Sequence, residues 1–311
     1  MSRPRAERQH GFAVISAMLI VALAAATAMA LLGSVQDWID RVGARDDKSR
    51  TTELARVAID HARALLLLDV RRGGVDSLDE DWARTLPPLR HEDAEIAGRI
   101  VDAQGQLNLN NLRRPDGLID ERALSAYRRL LVSIGFDPAL ADRLTDTLAD
   151  ALDADDSPRA GGAERDHYAG LGRDFPRNRP LEQMTALGDV AGYTPDIVAT
   201  IDAHVTVLPG QQPVNINTAS AEVLSALQPG LSLDQAQAIV VTRRTLYFRD
   251  AADFTQRLPV SGLPPPLVPI AGNSQHFDIR VDVRGTRART AGRALVHRTV
   301  GAVSILALSL Q

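Results

Sequence analysis

One uncharged run near the amino terminus constrains this 311-residue chain more than any other feature. From Phe12 to Gly33 no residue carries a charge, and the first acid after it is Asp37. At 1.5 Å per residue, about 22 residues reach roughly 33 Å, close to the hydrocarbon thickness of a bilayer. Alanine, leucine and methionine favour a continuous helix, and no proline breaks it. The run is long for the apolar part of a cleaved secretory signal, about 7–15 residues. Arg3, Arg5 and Arg8 precede it, so the amino terminus is expected on the cytoplasmic side and the remaining chain on the other.

The junction between leader and run is sharper than a plain anchor requires. Gly11 followed by Phe12, behind a short basic leader, resembles the type III signal of prepilins. That resemblance implies cleavage after Gly11 by a prepilin peptidase, N-methylation of Phe12, and retention of the helix. Counting from Phe12, the fifth residue is Ser16, where most pilins and pseudopilins carry Glu. That Glu would neutralise the free amine of a neighbouring subunit, because an unpaired charge in lipid costs several kcal/mol. Ser16 cannot supply the charge. The residue therefore fits either a protein outside the pilin class or a subunit with no neighbour ahead of it.

The remaining chain is too long for one small domain. Its net charge of −4 argues against polyanion binding by bulk electrostatics, and without cysteine it has neither disulfides nor thiolate metal sites. After the apolar run, Leu54, Val57, Ala58, His61, Leu65 and Leu68 recur at helical spacing and predict an amphipathic continuation ending at Gly73–Gly74. An irregular segment, "DSLDEDWARTLPPL", follows. "EIAGRIVDAQGQLNLNNL" predicts a hairpin, with a strand over 96–102, a turn at Gln104–Gly105 and a short strand "LNLN". In "HFDIRVDVRG", Phe277, Ile279, Val281 and Val283 share one face of a strand. "RALVHRTVGAVSILALSL" is a further β candidate whose last part reads as a buried strand.

Between these strand signals lies an imperfect repeat. "LNLNNL" leads to "LLVSIGFDPALADRLTDTL", and "VNINTASAEVL" leads to "ALQPGLSLDQAQAIVVTRR". Placing Gly135 on Gly230 brings Ala141 onto Ala236 and Leu144 onto Ile239. Each copy reads as an Asn/Thr-capped helix, a glycine turn, and a second helix starting at Asp or Pro. The repeat resembles helix-hairpin-helix units, including those of membrane-anchored DNA receptors, in which hairpin N–H groups meet phosphate. Here each hairpin has one glycine, and Asp137 and Asp234 stand where a phosphate would lie. A structural, sterile-alpha-motif-like role is therefore preferred to DNA binding.

"DALDADDSPRAGGAERDHY" places four acids within residues 150–156, followed by Glu164 and Asp166 after a Gly-Gly turn. Oxygen ligands alternating on a tight loop suit Ca²⁺, which takes 6–8 oxygens. A solvated helix end is the alternative, but acids clustered at a helix carboxyl terminus oppose its dipole. Asp153, Asp155, Asp156, Glu164 and Asp166 are the candidate ligands, and a hard cation suits them better than the zinc that the neighbouring His167 suggests. The sequence shows no nucleophile elbow and no phosphate-binding glycine loop, so an enzyme is not expected.

Taken in order, the prepilin-like start without Glu, "DSLDEDWA", "GQLNLNNL", the acidic loop and "VNINTASAEVLSAL" resemble the minor pseudopilin K family of type II secretion systems. The resemblance implies an α+β pseudopilin fold, a long amino-terminal helix on a small antiparallel sheet, with a large inserted helical domain of two units. The expected divisions are a leader over 1–11, a membrane helix over 12–33, and the pseudopilin helix and first strands over 34–111. The insert is expected over 112–269, in units of about 112–205 and 206–269, with closing strands over 270–311. The resemblance further implies calcium in the acidic loop and a bacterial inner-membrane protein with a periplasmic ectodomain. Its expected partners are minor pseudopilins I and J at a pseudopilus tip, the prepilin peptidase, the inner-membrane assembly platform and secreted substrates, with no nucleic acid.

Overall fold

The computed structural model describes residues 9–70, 73–85, 87–172 and 178–311, and for residues 9–13 the backbone alone. The leader up to residue 8 therefore lies outside the described residues. The first element, α1 (Gln9–Asp69), is one unbroken helix of 61 residues, about 90 Å long at 1.5 Å per residue. It is long and apolar enough to cross a membrane, and its first half stands clear of the rest of the protein.

Its second half packs on a sheet through a face offset from the one that the apolar spacing predicts, sharing Leu54 and Ala58 with it. Thr51, Ala55, Ile59, Ala62 and Leu66 are buried, whereas Val57 and Leu68 are more than half exposed and His61 faces solvent. The contact is set by small residues. Ala55 and Ala62 let the helix lie close to the sheet, where Gly292 leaves room for Ile59. The run Leu65–Leu68 surrounds the helix and carries no phase information. The helix ends at Asp69, ahead of the Gly73–Gly74 pair.

Two strands follow, β1 (Leu89–His91) and β2 (Ala94–Asp102), antiparallel to each other. The segment before them is anchored by Trp82, whose ring meets Phe277 edge-on at 5.2 Å and whose Nε1 donates to Glu80 at 2.8 Å. The expected hairpin after β2 does not form. Residues Ala103–Gly105 make a 3₁₀ turn that leads the chain out of the sheet, and β3 (Leu107–Asn108) lies elsewhere. The buried Asp102 carboxylate fixes this exit. It accepts from the Gln104 N–H, Asn215 Nδ2, Thr218 Oγ1 and Ser274 Oγ, which ties β2 to chain more than a hundred residues away.

The excursion carries α2 (Glu121–Ser133), α3 (Pro138–Leu152), α4 (Arg165–Gly170), α5 (Pro195–Ile201) and β4 (Val205–Thr206), which pairs in parallel with β3. It continues through β5 (Val214–Asn215), α6 (Ala221–Leu227), α7 (Leu233–Thr242), α8 (Ala251–Gln256) and β6 (Ile270–Ala271), the last parallel to β5. The chain then re-enters the sheet as β7 (His276–Arg284), β8 (Arg289–Arg298) and β9 (Val303–Leu310). The sheet order is β1-β2-β7-β8-β9, antiparallel throughout. The fold is thus the expected α+β arrangement of long helix, antiparallel sheet and helical insert. The insert begins after Asp102 and ends before His276, wider at both ends than 112–269.

Phe277, Ile279, Val281 and Val283 are buried against α1, as their alternation predicts. β9 is not the buried strand its composition suggests. It forms the sheet edge, and Ile305, Leu306 and Leu308 are 38%, 46% and 42% exposed, because α1 lies mainly over the middle strands and meets β9 at its ends, Val303 and Leu310.

A backbone hydrogen bond at one end and ion pairs at the other fix the orientation of the sheet along α1. At the β7–β8 turn, Asp47 accepts from the Ala288 N–H at 2.7 Å. At the opposite end of β8, Arg298 reaches Asp69 at 2.8 Å and also pairs with Asp76. The insert leaves and rejoins the sheet beside Arg298, so it sits over the carboxyl-terminal end of α1, farthest from the apolar run.

Candidate functional site

The two repeat copies form corresponding helix-turn-helix units. Gly135 and Gly230 both adopt left-handed φ, +102° and +83°, which reverses the chain between helices. Ala141 and Ala236 are fully buried, and Leu144 and Ile239 nearly so. The Asn pairs do not cap the α-helices as the sequence predicts, but order the turns that lead into them. Asn108 and Asn215 each accept from the N–H two residues on, at Asn110 and Asn217. Asn110 then clamps Leu181, accepting its N–H and donating to its carbonyl, and Asn217 does the same to Phe248. The helices themselves are capped by Asp120 and Ser220.

At the hairpins, the chain's own side chains take some of the helix amino-terminal N–H groups. The Asp137 carboxylate occupies the first N–H groups of α3, and Ser232 with Gln235 forms a capping box on α7. Arg243, which adds positive charge to the second copy, is 4% exposed and donates to the Ile216 carbonyl at 2.6 Å.

The acidic loop condenses around the end of α3. Carboxylate oxygens of Asp150, Asp153 and Glu164 lie within 4.8 Å of one another, and all three residues are buried. Among the described residues, Asp153 Oδ1 and both Glu164 carboxylate oxygens have no hydrogen-bond partner. Burial, reinforced by neighbouring acids, pushes the Asp153 carboxyl up to about 6 and that of Glu164 up to about 7. Asp150 is held by the Arg159 N–H at 3.2 Å. Gly162 makes room for it, since a Cβ there would meet Asp150 Oδ2 at 1.8 Å. Unpaired buried carboxylates are costly, and three that converge on one point have the donor chemistry of a hard cation.

Two of the five expected ligands, Asp153 and Glu164, enter this cluster. Asp155, Asp156 and Asp166 are exposed and stand outside it. Asp155 Oδ1 accepts from the Ser157 N–H at 2.8 Å, and Asp156 accepts from Asn178 and faces Arg165 at 3.6 Å. Asp166 lies in the first turn of α4. Asp150, the third member, belongs to the last turn of α3. Its spacing of three from Asp153 was the available signal, because it puts the two on one helix face.

In a second acidic group, Asp69, Asp76 and Glu80, the Arg298 guanidinium pairs with Asp69 and Asp76, and Glu80 accepts from Trp82 and the Ser77 N–H. At the amino terminus, Gly11 and Phe12 belong to the α1 backbone, and their side chains lie outside the described residues. Ser16 lies one helical turn beyond Phe12.

A family model for the type II secretion system protein K matches residues 105–210, and a second with the same description matches residues 214–279. A type II secretion system protein K from Pseudomonas aeruginosa is 30% identical over 312 residues, covering 96% of this chain and 92% of that protein. The chain belongs to the type II secretion system protein K family. A protein K from Dickeya chrysanthemi is 26% identical, with 94% of each chain covered. The same fold occurs in a crystal structure of the GspK–GspI–GspJ complex from enterotoxigenic Escherichia coli. The likeness has a TM-score of 0.76 at 20% identity and covers 87% of this chain and 99% of that one. The first matched segment lies within the insert, and the second covers the rest of it and the start of β7. As a protein K, the chain is a minor pseudopilin of the secretion system, a structural component with an amino-terminal helix suited to a single membrane span.

Proposed function

We propose that this chain initiates and caps the type II secretion pseudopilus from its tip, as an aid to export of folded proteins across the outer membrane. The supporting observation is the position of the insert. It lies over the end of α1 farthest from the apolar run, where a subunit added above would have to pack. Ser16 agrees, because a tip subunit has no higher neighbour whose amine it must neutralise. On this reading α1 holds the protein in the inner membrane, amino terminus in the cytoplasm and ectodomain in the periplasm, until the assembly platform draws it into the filament. Pseudopilins I and J are its partners below, by analogy with the solved complex. The two units of the insert act as a sterile-alpha-motif-like structural module.

Maturation follows the prepilin route, with cleavage between Gly11 and Phe12 and methylation of the new amino terminus. Calcium is the fitting occupant of the acidic cluster. Asp150, Asp153 and Glu164 would hold it, and the ion would offset their mutual repulsion and join α3 to the start of α4. The residues' own part is positional. Gly162 admits Asp150, and the Arg159 N–H orients it.

The deciding experiment is the mass of the mature amino terminus after expression with and without a prepilin peptidase. Loss of the leader through Gly11 with one methyl on Phe12 is expected. An intact leader beside active peptidase would overturn the pseudopilus reading and leave an anchored scaffold.

A further inference from the structure

The sheet face turned away from α1 carries an unusual concentration of arginine. Because Phe277, Ile279, Val281 and Val283 point at the helix, Asp278, Arg280, Asp282 and Arg284 point away from it. The strand register then aligns Arg99, Arg280 and Arg293 in one row across β2, β7 and β8. Four residues along, Glu95, Arg284 and Arg289 form a second row, and between the rows lie Ala97, Asp282 and Ala291. Like charges directly opposite one another destabilise a sheet, so the arrangement works against folding.

Internal pairing neutralises it only in part. Asp278 is shared between Arg280 at 2.7 Å and Arg293 at 3.0 Å. Asp282 is shared between Arg284 at 3.1 Å and Arg289. Each carboxylate holds two guanidinium groups in place and cancels one. Arg99 is exposed and has no ion pair among the described residues. Glu95 and Asp202, which acts on Arg293, are the other acids facing the patch. Arg293 and Arg289 remain 52% and 63% exposed. The small side chains of Ala97 and Ala291 leave the arginines standing above a shallow floor.

We propose that this outward sheet face is a docking surface for the carboxylate-rich face of another folded protein. The charge is fixed in place before binding, which favours paired carboxylates over diffuse counterions. A lipid source is disfavoured by direction. The sheet lies lengthwise on α1, so its outer face looks sideways from the helix axis rather than towards the membrane that α1 would cross. The inference does not depend on the tip reading.

The test uses the full chain in phosphatidylcholine nanodiscs and a fluorescent deca-glutamate peptide as probe. Saturable binding that weakens with salt is expected, with affinity at least tenfold lower in Arg99→Glu/Arg289→Gln. The control Arg56→Glu/Arg244→Glu, at exposed positions off this face, should bind as the parent does. Arginine labelling of the parent by phenylglyoxal, read by mass spectrometry, needs no variant. The peptide should slow labelling of Arg99, Arg289 and Arg293 and leave Arg244 unchanged. Equal loss of binding in the control, or no protection of Arg99, would overturn the proposal. Equal protection by phosphatidylglycerol vesicles would overturn the assignment to a protein partner.

Discussion

Asn110 and Asn217 make the same pair of hydrogen bonds in the two halves of the insert. Each side chain accepts a distant backbone N–H and returns a bond to the same residue's carbonyl, at Leu181 and Phe248. Both asparagines are buried. Replacing either with alanine would leave backbone groups unsatisfied, at roughly 1–3 kcal/mol each. Hydrogen exchange should separate the two. Asn110→Ala should expose the Leu181 amide and spare Phe248, and Asn217→Ala the reverse. Loss of protection at both amides in either variant would show that the halves unfold as one unit.

The acidic cluster predicts a metal-dependent melting response. A cation at 100 times its dissociation constant stabilises a one-site protein by about 2.7 kcal/mol. The parent should melt higher in calcium than in chelator, and Asp153→Asn and Glu164→Gln should lose most of that increment. Because both carboxylates are buried and unpaired, the two variants should melt at or above the parent in chelator. Parent and variants melting alike in saturating calcium would remove Asp153 and Glu164 from the site.

Gly162→Ala tests the cluster from its backbone. The added Cβ would displace the Asp150 carboxylate. Overpacking of this kind costs about 1–3 kcal/mol, and the calcium increment should shrink with it. A full increment in Gly162→Ala would show that Asp150 is dispensable.

Acid dependence should run opposite to that of an ordinary paired carboxylate. Asp153 and Glu164 are raised in the folded state, to about 6 and about 7, above the usual unfolded values near 4. The folded protein then binds more protons than the unfolded one between about pH 4 and 7, so their contribution is present at low pH and lost as pH rises. In chelator, melting should fall as pH is raised from 5 to 7.5, and calcium should flatten that fall. Burial holds the His276 imidazole down to about 4, which acts in the opposite sense, so the comparison is with Asp153→Asn/Glu164→Gln: an unchanged pH slope in that variant would contradict the assignment to these two groups.

Ser16→Glu should leave secretion unchanged or lower it, measured as export of a type II substrate in cells lacking the native subunit. Improved export would contradict the charge argument for a tip position.

The sequence made strands legible where burial is strictly alternate, as in Phe277–Val283. It failed where contact geometry overrode hydrophobicity. The α1 face was misplaced because Ala55 and Ala62 pack closely, while the bulkier Val57 and Leu68 face outward. The hairpin after β2 was misread because the partners of Asp102 lie at Asn215, Thr218 and Ser274, beyond any local pattern. In the acidic loop, abundance drew attention to Asp155, Asp156 and Asp166, whereas burial selected Asp150, whose signal was its spacing of three from Asp153. The repeat was legible because its glycines and small core residues keep their places in both copies.

Asp102 and Phe277 are direct partners across adjacent strands, yet the whole insert lies between them in sequence. A chain that leaves and returns at neighbouring positions imposes no strain on the register it interrupts. The sheet is therefore a socket, indifferent to the size of what is plugged into it. A head could be enlarged, duplicated into two units or exchanged over evolutionary time while the helix and sheet that fit the common filament stayed as they were.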